Sequence, residues 1–128
     1  MKIACLMLAA GITVASLPAQ DASYPPGVTP EIHASIQRGL TWLSRNMAND
    51  GSWRNSGGYG SYPAAMTGLA GMAFIASGST PTRGRYWNEV RKSVGFLIKN
   101  SDANTGVISV PAEEGRSMYG HGFATLYL

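Results

Sequence analysis

The chain has 128 residues, 45% of them hydrophobic and only 13% charged, with a formal net charge of +3. That composition excludes a polar disordered chain and suits one small domain with a modest core. The ten Lys and Arg residues are scattered rather than grouped into a basic face, which argues against a nucleic-acid partner.

Lys2 opens a short positive region, Ile3 to Ala15 is apolar, and small residues offer cleavage points after Ser16 or Ala19. This is the pattern of an export signal over residues 1–19, engaging the export machinery and giving a periplasmic or extracellular address. An uncleaved membrane anchor is the rival reading, but a run ending at Leu17 is short against the roughly 20 residues a span needs. Cys5, the single cysteine, would leave with the signal, and with it disulfides, thiol nucleophiles and cysteine metal ligands. Residues 20–29, with Pro25, Pro26 and Gly27, read as a linker.

Thr29 is a suitable N-cap, Pro30 a suitable first helical residue and Glu31 a complement to the helix dipole, so a first helix starts at Pro30. Its expected buried stripe is Ile32, Ile36, Leu40, Leu43 and Met47. Asn49-Asp50-Gly51-Ser52 is turn chemistry, so the helix should end near Met47, and Trp53 closes the turn. In that turn Asp50 is more economically a ligand for local backbone N–H groups than a general acid.

A second helix begins at Pro63, after Tyr62, and stops near Gly78. It is apolar or small on every side, which predicts an inner helix surrounded by protein. Gly68 and Gly71 each cost a helix roughly 1 kcal/mol relative to Ala, a cost that close approach of neighbouring helices would explain. The third helix carries Tyr86, Val90, Val94 and Leu97 as its stripe. These positions are Ile32, Ile36, Leu40 and Leu43 shifted by a common interval, with Arg38 falling on Lys92 and Trp42 on Phe96, so the chain contains an internal repeat. The second copy is degenerate, with Ser93 for Gly39, and Gly106 and Ile108 in place of Gly51 and Trp53. The run from Tyr119 parallels the run from Tyr62 and predicts the start of a fourth, inner helix. No cap or turn signal marks Leu128 as a natural end, so residues 30–128 are expected to be the first two hairpins of a longer array.

Arg38, Gly39, Trp42, Leu43, Gly51 and Trp53 stand at the spacing of the QW repeat, and on these residues the chain resembles the squalene cyclases and protein prenyltransferases. Met47 stands where that motif has its glutamine. The resemblance implies an all-α fold of the α/α-toroid type, with amphipathic outer helices, apolar inner helices and about six hairpins to a closed ring. It also places Tyr59, Tyr62, Tyr119 and His121 near a central cavity able to receive an apolar or isoprenoid ligand.

His121 lies between Gly120 and Gly122 near a helix start, where packing or capping is the plainer reading because no partner groups are visible. Glu113 and Glu114 are adjacent rather than helically spaced, as in a solvated loop. The Asp-x-Asp-Asp acid of the cyclases, the Asp, Cys and His zinc site of the prenyltransferases and the cysteine of toroidal thioester proteins are all missing here, so no metal or cofactor is expected in this segment. Two functions fit: an exported binding or scaffold protein without catalysis in this segment, or the N-terminal part of a terpenoid cyclase whose acid lies downstream.

Overall fold

The computed structural model describes residues 24–54, 61–113 and 115–128; the expected export segment lies outside them. Among the described residues the fold is all-α: α1 (Pro30–Arg45), α2 (Pro63–Ala76), α3 (Trp87–Lys99) and α4 (Ser117–Tyr127), with a 3₁₀ turn at Pro111–Glu113 before α4. The only β pairings among them are isolated bridges, Thr80 with Arg83 and Ser101 with Ile108.

Local chemistry sets the ends of α1. The Ile32 N–H donates to the Thr29 hydroxyl at 3.3 Å, with Pro30 in the first turn. The helix stops at Arg45, short of the expected Met47, because Asn46 closes it: its Nδ2 donates to the Trp42 carbonyl at 2.8 Å and its backbone N–H reaches the Trp42 and Leu43 carbonyls. Met47 lies beyond the helix and packs, half-buried, against the core.

α2 is the central element, packing most extensively on α4, less on α3 and least on α1. Its two glycines permit this. A Cβ on Gly68 would stand 2.7 Å from the Phe123 carbonyl oxygen, and one on Gly71 would enter the Tyr127 ring. Gly120 of α4 faces Ala64 in the same way. Contacts thus advance together along both helices, from Ala64 with Gly120 to Gly71 with Tyr127, so α2 and α4 run parallel. Tyr127 continues across to α3, where its hydroxyl lies 2.7 Å from the Ser93 hydroxyl and 3.3 Å from the Val90 carbonyl.

The turn after α1 ties the units together. Gly51 has φ +88°, and a Cβ there would lie 2.5 Å from the Lys92 carbonyl oxygen, so both backbone conformation and contact with α3 require glycine. The buried Trp53 donates its indole N–H to the Leu43 carbonyl at 2.9 Å and its backbone N–H to the Thr67 hydroxyl at 3.1 Å. Its ring begins an aromatic line, 5.8 Å from Phe74, which is in turn 4.8 Å from Tyr86.

The two stripes differ in burial. Tyr86, Val90 and Leu97 are buried as expected, whereas in α1 only Leu40 is fully buried and Ile32 and Ile36 remain exposed. The cause is coverage: α3 is covered by α2 and by Tyr127 of α4, whereas α1 touches α2 only lightly.

Gly71→Ala is expected to lower stability by about 1–3 kcal/mol through overpacking against Tyr127. Gly95→Ala in α3, where nothing lies within 4 Å of the added methyl, is expected to raise it by about 0.5–1 kcal/mol. Urea unfolding of the two variants checks this; equal effects would remove the close-approach argument.

Candidate functional site

The N-terminal ends of α2 and α4 gather the chemically capable side chains. α2 starts without a side-chain cap, since Tyr62 at its N-cap supplies none. The first free N–H groups of such a helix need an acceptor and favour a negative charge. The 3₁₀ turn delivers one from far along the chain: Oε1 of Glu113 accepts from the Ala64 N–H at 2.7 Å and the Ala65 N–H at 3.3 Å. Glu113 is 1% exposed, which overturns the expectation of a solvated loop acid; Glu114 lies outside the described residues. Glu113 Oε2 is buried with no hydrogen-bond partner among the described residues, beside Gly120, where any Cβ would collide with it.

Burial pushes the Glu113 carboxyl above its ordinary range, against the opposing pull of the Ala65 and Ala64 N–H groups. Among the described residues no salt bridge to Glu113 is formed. Among the described residues the ion pair formed is Arg54 with Asp50, in the turn after α1. Asp50 plays the turn role read from the sequence, accepting from the Ser52 N–H at 3.1 Å and hydroxyl at 2.7 Å. Partial burial works against its ionisation, but the Ser52 bonds and Arg54 outweigh it and hold its carboxyl below the ordinary range.

His121 is half-buried in α4. Its Nδ1 accepts from the Ile108 N–H at 3.2 Å, with the Thr125 hydroxyl 3.4 Å away, so the imidazole pins the preceding loop to α4. The plainer packing reading of His121 therefore has a partner and a geometry. Tyr62 is half-buried and its hydroxyl accepts from the Arg116 guanidinium, which also lies 5.9 Å from the ring centre. Tyr119 is exposed on α4 rather than enclosed, and Tyr59 lies outside the described residues. Of the repeat-motif residues, Leu43, Gly51 and Trp53 meet around the turn as described, while Arg38, Gly39 and Trp42 are exposed on α1, Arg38 donating to the Ser35 hydroxyl at 2.8 Å.

Two clefts adjoin this framework. One, of about 520 Å³, lies between α1 and α2 and is lined by Trp42, Leu43, Asn46, Trp53, Arg54, Met66, Leu69 and Ala70. The other, of about 580 Å³, runs between the first turn, the start of α2 and α3, with Arg54, Lys92 and Lys99 around Pro63, Phe96 and Val110. Outside them, α2 exposes Met66, Leu69 and Ile75, and α4 exposes Met118, Tyr119, Phe123 and Leu126. No group of three or more His, Cys, Asp or Glu side chains suited to a metal occurs among the described residues. No helix among them is long and apolar enough to cross a membrane. No family model, curated protein or solved structure matches the chain.

The role of Glu113 had one trace in the sequence. A helix opening Tyr-Pro-Ala-Ala lacks a Ser, Thr, Asp or Asn cap, so its acceptor had to come from elsewhere.

Replacing Glu113 by Gln keeps the accepting oxygen and removes the titration. Because the folded protein holds this proton more tightly, its contribution to stability is full below the ordinary value of 4.5 and is lost as pH rises through the raised folded value. Urea unfolding across pH should therefore show the native protein losing stability relative to Glu113→Gln as pH rises above that range. Glu113→Ala, which removes the cap, should cost about 1–3 kcal/mol. A pH-independent difference between native and Gln proteins would contradict the assignment.

Proposed function

We propose that this chain is an exported α/α-toroid protein similar to the squalene-cyclase and prenyltransferase repeat family. In this reading its paired hairpins form part of a wall around an apolar, isoprenoid-like ligand, with no catalytic step at the described residues. The observation that supports it is a repeated exposure. Met66 and Leu69 of α2 are 38% and 45% exposed, and Phe123 and Leu126, at the corresponding positions of α4, are 38% and 71% exposed. In this reading these side chains recur as an apolar band on each of two parallel neighbouring helices, with Tyr119 also exposed on α4 and with Met66 and Leu69 lining the cleft toward α1 as well. Each large apolar side chain left in water forfeits roughly 1.5–3 kcal/mol, so a band of this kind marks a contact surface.

The chemistry of the described residues supports binding over turnover. Glu113 is closed off and engaged with α2, and His121 is engaged with Ile108. Acid–base catalysis needs convergent titratable groups open to a substrate. The cyclase reading would draw its acid from outside the described residues.

Titration of tryptophan fluorescence with a long-chain isoprenoid alcohol is expected to saturate. Phe123→Asp and Leu126→Asp should weaken binding by about tenfold or more with helix content unchanged. His121→Ala should alter any turnover of an isoprenoid substrate by less than about tenfold, under about 1.4 kcal/mol of barrier. A loss of several hundredfold with the fold intact would make the protein an enzyme. For export, mass spectrometry of secreted material should find an N-terminus between Leu17 and Asp21; a retained Met1 would remove that part of the reading.

A further inference from the structure

The internal repeat makes each hairpin a control for the other. Equivalent positions in two copies of one unit should be equally buried unless a neighbour covers one copy and not the other. Val90 and Phe96 of α3 are 0% and 7% exposed, whereas Ile36 and Trp42, their counterparts in α1, are 47% and 61% exposed. What covers the second hairpin is visible. Gly51, in the turn of the first hairpin, rests on the Lys92 backbone, Phe74 packs on Tyr86, and the glycine face of α2 receives α4.

The turn after α3 holds an unused copy of part of that covering surface. Asp102 organises its turn much as Asp50 does, accepting from the Asn104 N–H at 2.9 Å and the Thr105 N–H at 2.8 Å. Gly106 in that turn has φ +71°, against +88° for Gly51. Gly51 meets Lys92, but nothing lies within 4 Å of the Cβ position of Gly106. Likewise Arg38, the counterpart of Lys92, is exposed, and no turn glycine among the described residues meets it. One molecule therefore presents both halves of the contact it already makes internally, one on α1 and the other in the turn after α3.

We propose that the α1 face of one copy is the docking site for the Asp102–Ile108 turn and the free side of α4 of a second copy, head to tail. The contact continues the interface between the two hairpins: Gly106 of one copy would rest on α1 at Arg38 of the next, and Ile36 and Trp42 would gain the cover that Val90 and Phe96 have. Such an interface is heterologous, so it propagates into a ring or an open row rather than stopping at a symmetric pair. The inference goes beyond the ligand reading and does not rest on it. Isoprenoid binding by a strictly monomeric protein would sink the one and leave the other.

The test mixes two versions of the full chain, both with Cys5→Ser, one carrying Arg38→Cys and the other Thr105→Cys. Under mild oxidation the mixture should form the mixed disulfide much faster than either version forms its own dimer. Sedimentation should show concentration-dependent association that Ile36→Asp weakens by about tenfold or more. Ile98→Asp, on an exposed position of α3 outside the proposed contact, should leave it unchanged, with circular dichroism confirming that both variants are helical. Monomers at every concentration would overturn the proposal, as would association indifferent to Ile36→Asp without the mixed disulfide. A monomer whose residue-38 thiol resists labelling would also overturn it, and would place further residues of the same chain on this face.

Discussion

The arrangement depends on how closely α2 and α4 approach each other. Side chains at Gly68, Gly71 and Gly120 would occupy space already taken by the Phe123 carbonyl, the Tyr127 ring and the Glu113 carboxylate. Glycine in a helix interior costs about 1 kcal/mol relative to alanine, and the helices offset that cost by dense contact at short range. Parallel neighbours cannot be joined by a short turn, so α3 must return the chain between them. α3 therefore lies alongside the pair, within reach of the Tyr127 hydroxyl, and that bond sets its position against Ser93 and Val90. Burial pushes this phenol above its ordinary range, against the opposing Ser93 bond, so it stays neutral where it bridges the two helices.

A second constraint runs through the turn after α1. Asp50 arranges the backbone, Gly51 supplies the left-handed residue, and Trp53 enters the core with both of its N–H groups bonded. Phe74 and Tyr86 carry that anchoring onward, so one local turn couples the first helix to the third across α2.

Much of this was legible in the residues. Thr29-Pro30-Glu31 marked the start of α1, the all-apolar run with Gly68 and Gly71 marked a central helix under close approach, though one that leaves Met66, Leu69 and Ile75 exposed rather than surrounded, and the stripe of Tyr86, Val90 and Leu97 marked the buried face of α3. Each is a local or periodic signal that depends on neighbouring residues in the sequence. The exposure of Ile32 and Ile36 was not legible, because a stripe says which face could be buried and not whether anything covers it. Asn46 ended α1 early through a side-chain bond that an ordinary helical pattern does not announce. Glu113 was read as a solvated acid because its partners lie 48 and 49 residues away. His121 was visible as a candidate, but its engagement with Ile108 depends on a loop whose path no spacing defines.

The long reach of Glu113 bears on the order in which the chain can acquire its structure during synthesis. Ribosomes release a chain from its N-terminus, and earlier segments can begin to fold before later ones exist. The helix at Pro63–Ala76 emerges with its leading N–H groups unpaired and two glycines weakening it, while the residue that completes its first turn is still 49 positions from the nascent Ala64. Until then it is an apolar segment with little reason to hold its shape. The delay keeps the growing polypeptide pliable and defers cooperative assembly until both hairpins are present.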